Sequence, residues 1–106
     1  MIKVSHEATF ADAQAVFFAI DRDFHLYGWL LCIYGSVLGG KGRDVDLIAV
    51  PWRPMADVEV AKRSLVDRLQ AEQFGGKYRG CMGTRSFLFM LKDDVAIDLQ
   101  FRIQSE

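Results

Sequence analysis

Apolar positions near the start of the chain recur at helical spacing. Phe10, Ala13, Phe17 and Ile20 fall three or four residues apart and share one face, which predicts a helix over about Phe10 to Arg22. Thr9 followed by Asp12 supplies a T-x-x-D start signal. The pattern then changes to a continuous apolar run, Trp29 to Tyr34, stopped by Gly35. That run is too short for a core helix and suits a strand covered on both faces. Glycines at 35, 39, 40 and 42 make the next stretch a loop or a single helical turn, because Gly is costly in a longer helix. Asp44 to Val50 reads as a second strand, ended by Pro51-Trp52-Arg53-Pro54. A second helix is expected over about Met55 to Gln73, with Val58, Ala61, Leu65 and Leu69 on its buried face. Asp57 and Glu59 favour its first turn, and Gly75 of Phe74-Gly75-Gly76 fits the residue that ends it. The last third reads as a hairpin of Thr84 to Leu91 and Val95 to Ile103, joined at Lys92-Asp93-Asp94. In its second strand Val95, Ile97, Leu99, Phe101 and Ile103 alternate with Ala96, Asp98, Gln100 and Arg102.

This order implies a mixed α/β (α+β) fold: a sheet of about four strands with two main helices on one face. With 106 residues and no repeat, linker or low-complexity tract, the expectation is one domain over 1–106. The formal net charge of −1 excludes holding a long polyanion by bulk charge alone, though not a local anion site. No apolar stretch approaches the ~20 residues of a membrane helix. The N-terminal residues do not form a signal peptide, and a cytoplasmic location with no membrane partner is expected. Cys32 and Cys81 are far apart and form no zinc-ligand pattern. Cys32, inside the apolar run, is expected to be a buried thiol in a reducing compartment.

The chemistry concentrates between Tyr34 and Ile48. Gly35, Gly40 and Lys41 fit part of a phosphate-binding P-loop, but Gly42 stands where Ser or Thr must hold magnesium, and a strand follows instead of a helix. A metal site on the following strand fits better. Asp44 and Asp46 leave the same face of a strand with Cα atoms roughly 7 Å apart, a spacing from which two carboxylates converge on divalent cations. Hard oxygen ligands favour Mg²⁺ or Mn²⁺. Asp98 is the one other acid placed mid-strand, and it reaches the same metals if its strand lies beside that of Asp44. A D-x-D motif alone is commonly a solvated edge; the case rests on its conjunction with Gly35-Ser36, the glycine loop and the later acid.

Gly35-Ser36-Val37-Leu38-Gly39-Gly40 followed by Asp44-Val45-Asp46-Leu47-Ile48 resembles the signature of the polymerase-β-like nucleotidyltransferase superfamily: G-S-x-x-x-G, a spacer, D-h-D-h-h and a third acid on a later strand. The resemblance covers Leu30 to Ile103 in element order, so the chain looks like a minimal nucleotidyltransferase domain. It implies Gly35 and Ser36 on the terminal phosphates of a nucleoside triphosphate such as ATP, and Asp44, Asp46 and Asp98 on two Mg²⁺ (or Mn²⁺). Asp98 would also help deprotonate an acceptor hydroxyl. The implied reaction transfers a nucleoside monophosphate to a hydroxyl of a protein, RNA or small molecule. Alternatively, the chain is a catalytically inactive binding or regulatory module acting with a partner protein. Arg43 stands where many members carry Ser, and no length remains for the helical domain that usually grips the substrates. A partner protein or a homodimer would supply what is missing.

Lys41 and Arg43 flank the acids and either contact triphosphate oxygens or are solvated loop charges. Lys77, Tyr78 and Arg79 are read as a surface loop, with contact to a polyanionic acceptor as the alternative. Trp52 and Arg53 could stack on a base, but packing of Trp52 on the second helix is the leading expectation. His6 and His25 are expected at the surface.

Overall fold

The computed structural model describes residues 7–79 and 84–103. His6, Cys81 and the side chains of Lys77, Tyr78 and Arg79 lie outside the described residues, as do the readings that rest on them. The order is β1 (Ala8–Thr9), α1 (Phe10–Leu26), β2 (Trp29–Tyr34), a 3-10 turn (Ser36–Gly39), β3 (Lys41–Gly42), β4 (Val45–Pro51), α2 (Val58–Leu69), β5 (Glu72–Arg79), β6 (Thr84–Met90) and β7 (Ala96–Arg102). The main sheet has five strands in the order β2-β4-β7-β6-β5, and β1 and β3 form a small separate pair. Strands β4 and β7 run parallel while every other neighbouring pair is antiparallel. The mixed α+β class read from the sequence is therefore what forms, with one strand more than expected in the main sheet and the short β1–β3 pair besides.

Local signals explain where the helices start. The Thr9 hydroxyl accepts from the Asp12 N–H and the Asp12 carboxylate accepts from the Thr9 N–H, a complete capping box. Helix α1 runs past Arg22 to Leu26, and its buried stripe is Ala13, Val16, Ile20 and Phe24. Phe10 and Phe17 lie at the stripe's margin, so the helical period was right and its centre was displaced. Asp57 caps α2 by accepting from the Val60 N–H at 3.1 Å.

Helix α2 is shorter than the pattern predicts. It stops at Leu69, where Gln70 turns left-handed at φ 51°. Residues 72 to 79 then pair with β6, Glu72 opposite Met90 and Arg79 opposite Thr84. The helix stop expected at Gly75 is thus a strand, bulged between Gln73 and Gly75, and the expected surface loop at 77–79 is part of it. Sheet pairing outweighs helix propensity here, and the glycine at 76 is where the Phe87 ring packs directly on the backbone.

The helices cover one face of the sheet. Trp29, Leu31, Val45, Leu47, Leu99 and Phe101 point into that layer and are buried. Phe101 stacks on Phe24 (6.0 Å between ring centroids) and meets Trp29 edge-on (4.9 Å), with Ala49 on the intervening strand leaving room for both rings. The two helices are tied by Asp23, whose carboxylate accepts from Ser64 and Arg68, each at 2.8 Å. No helix among the described residues is long and apolar enough to cross a membrane.

Among the described residues the opposite face is open, which corrects two expectations about β2. There it is an edge strand covered on one face, not both, and Cys32 is exposed on the open side rather than buried. A continuous apolar run looks the same in sequence whether its second face meets protein or solvent.

Candidate metal centre

Pairing in the sheet determines where the acids go. Strand register sets Tyr34 opposite Asp46, and Asp46 opposite Asp98, making one row across β2, β4 and β7 on the open face. Asp44 precedes β4 and lies two residues before Asp46, so it projects on the same side. One carboxylate oxygen from each of Asp44, Asp46 and Asp98 lies within 4.8 Å of the other two, and all three residues are half-buried. The condition on Asp98 stated above, that its strand neighbour the D-x-D strand, is met by the parallel β4–β7 pair.

The glycine loop wraps against this row. Gly35 adopts φ +88°, a left-handed conformation that L side chains rarely adopt, and a Cβ there would run into the Asp46 carboxylate. Its backbone therefore lies directly on the acid, and Ser36 opens the 3-10 turn beside it. The Ser36 hydroxyl packs against Gly42, where a Cβ would also collide with it. Gly35 thus leaves room for the Asp46 carboxylate, and Gly42 for the Ser36 hydroxyl. Lys41 is exposed on β3 and ion-paired to Glu7 at 3.4 Å, and Arg43 is exposed between β3 and β4. The geometry thus groups Gly35, Ser36, Asp44, Asp46 and Asp98, with Lys41 and Arg43 on the exposed rim.

Charge crowding has measurable consequences. The Asp46 carboxyl is pushed up to about 6, first by burial, then by the negative charges of Asp44 and Asp98, and by a hydrogen bond with Asp44. Tyr34 is pushed up to about 12 by burial and the charges of Asp46 and Asp98, against a hydrogen bond from Gln100 that works the other way. Like charges gathered out of water raise the cost of ionisation, and a divalent cation removes that cost. The donor set, three carboxylates and no nitrogen or sulfur ligand, fits a hard cation such as Mg²⁺ or Mn²⁺.

Tyr34 and Gln100 were not singled out in the sequence. The Gln100 side-chain amide donates to the Tyr34 hydroxyl at 2.6 Å, spanning from β7 to β2 over the strand that carries Asp46. A signal existed: Gln100 is two residues from Asp98 on the same strand face, and Tyr34 immediately precedes Gly35-Ser36. Trp52 is at the wrong end for a role here. It follows the C-terminal end of β4, roughly 20 Å along the strand from Asp46. Its indole N–H donates to the His25 carbonyl and its ring stacks on the His25 ring, near the end of α1. His25 is exposed, as read.

No protein-family model matches this chain, and no curated protein matches it at a significant level.

Proposed function

We propose that this chain is a Mg²⁺- or Mn²⁺-dependent nucleotidyltransferase that moves a nucleoside monophosphate from a nucleoside triphosphate to a hydroxyl acceptor. The observation that supports this reading best is the convergence of the Asp44, Asp46 and Asp98 carboxylates beside the Gly35-Ser36 turn. Asp44, Asp46 and Asp98 would hold the metal. Bound there, the cations would neutralise charge on the phosphate oxygens and orient the attacking and leaving groups. The Ser36 hydroxyl would donate to a terminal phosphate oxygen. Asp98 would accept the proton of the acceptor hydroxyl as its oxygen attacks the α-phosphorus. The bond from that phosphorus to the bridging oxygen breaks, and pyrophosphate leaves with the electron pair. Lys41 and Arg43 would meet phosphate charge from the rim.

The test is calorimetric titration of Mn²⁺ with each nucleoside triphosphate, followed by transfer of an α-³²P label to lysate components. Wild type should bind nucleotide only with the metal, and Asp44→Asn should lose that binding. Equal binding by both proteins would refute the site. Metal-dependent binding without an Asp98-dependent labelled product would instead establish the binding-module reading.

A further inference from the structure

The open face of the sheet continues past the acids. We propose that its next stretch, from the Tyr34–Gln100 hydrogen bond over Cys32 and Ile48 to Leu30 and Val50, is a nucleoside subsite. The Tyr34 hydroxyl donates to a ribose hydroxyl there, and the base lies on the apolar side chains. The subsite rests on the triphosphate seated as proposed above, and it adds where the sugar and base go.

Three observations support it. The first is direction. Strand β2 runs antiparallel to β4, so the Gly35-Ser36 turn lies toward the Asp44 end of β4, and Cys32 and Leu30 lie past Asp46 on the other side. A triphosphate with its terminal phosphates at Ser36 and its α-phosphate over the acids points its sugar and base toward Cys32 and Leu30. The Cys32–Ile48 and Leu30–Val50 pairs stand about 7 and about 14 Å along the strands from the Tyr34–Asp46 pair, within the span of one nucleoside. The second is a spare donor. The Tyr34 hydroxyl accepts from the Gln100 amide at 2.6 Å, and among the described residues nothing accepts the hydroxyl's own proton. Gln100 occupies one side of that oxygen and so fixes which way the proton can point. The hydroxyl is close enough to the centre to feel the charges of Asp46 and Asp98, and Gln100 lies two residues past Asp98, on the sugar side of an α-phosphate held there.

The third is chemistry. Between the acids and Arg102, this face of β2, β4 and β7 carries Leu30, Cys32, Ile48, Val50 and Gln100, and no charge. Leu30 is 50% exposed, Val50 is 38% exposed and Cys32 is exposed, so the strip offers apolar surface to a ligand. Covering it with the face of a base removes that surface from water. An apolar floor with one placed hydrogen-bond donor is the ordinary make-up of a small-molecule site. A phosphate-bearing acceptor laid along the same strip would meet uncharged side chains as far as Arg102, where cations are wanted. The uncharged half of the nucleotide is therefore the occupant that fits.

The full chain in a Cys81→Ser background tests this, with Cys32 as a reporter that leaves the strip unaltered. In saturating Mn²⁺, ATP should slow alkylation of Cys32 by N-ethylmaleimide several-fold, and inorganic triphosphate should not. In calorimetric titrations the protein should prefer ATP to 2′,3′-dideoxy-ATP by about three- to tenfold, the worth of one hydrogen bond. Tyr34→Phe should lose that preference while binding inorganic triphosphate as before. ATP that binds without protecting Cys32, equal protection by inorganic triphosphate, or a preference that is absent or survives in Tyr34→Phe overturns the subsite and leaves the triphosphate reading standing. Failure to bind either ATP or inorganic triphosphate in Mn²⁺ overturns both.

Discussion

Replacing Asp46 by Asn should stabilise the metal-free protein. The carboxyl is held at about 6 against an ordinary 3.8, with burial the largest cause and Asp44 and Asp98 next. Folding therefore keeps a carboxylate in a place that disfavours its charge. Taken at face value that difference costs the native state about 3 kcal/mol at neutral pH. Asp46 is only half-buried, and solvent screens part of the repulsion, so about 1–2 kcal/mol is the working figure. For a chain of this size it corresponds to a rise in Tm of about 5–10 °C. The pH dependence has a definite sign. Between about 4 and 6 the native state binds the extra proton and the unfolded state does not, so wild type loses stability as pH rises through this window. Asp46→Asn removes that slope. Urea unfolding of both proteins in chelator, at several pH values from 4 to 7.5, isolates the effect as a difference. Saturating Mn²⁺ should then reverse the order at pH 7.5, stabilising wild type and not the variant. An Asn variant no more stable than wild type in chelator, or an equal response of both to Mn²⁺, would refute this account of the acids.

Gly35→Ala should lower Tm and abolish the Mn²⁺ response together, because the left-handed backbone costs about 1 kcal/mol or more and the methyl meets the Asp46 carboxylate; a normal metal response in thermal melts would show that the loop does not position the site. Asp23 titrates in the opposite sense to Asp46. Its hydrogen bonds from Arg68 and Ser64 hold its carboxyl below the ordinary 3.8, so its contribution is present above that value and lost as pH falls through the lower folded one. Asp23→Asn should therefore cost most stability near neutral pH and least in strong acid, which urea unfolding at pH 3 and pH 7 reads directly.

Much of the site was legible in the sequence because its parts obey local rules. The D-x-D spacing in a strand fixes a shared face regardless of what surrounds it. Thr9 and Asp57 marked helix starts for the same reason: a cap is a contact within three residues. Asp98 needed more. Its alternation placed it on a polar face, but only the β4–β7 pairing brings it to Asp46, and pairing between strands fifty residues apart leaves no local trace. The errors share that origin. Residues 72–79 carry glycines that read as a helix stop, and it is β6 that makes them a strand. Trp29 to Tyr34 is apolar at every position, and nothing within it says that the sheet ends there.

The acid row continues onto the edge of the sheet. Tyr34 is the last residue of β2 and the register partner of Asp46, which is in turn the partner of Asp98. The Gln100–Tyr34 hydrogen bond ties β7 to β2 across the strand that carries Asp46, so the two strands flanking the acids are held by one polar contact over them. Holding the carboxylates close together weakens the metal-free chain. A divalent cation bound there would remove that cost, and by linkage the stability it returns should rise with free cation concentration.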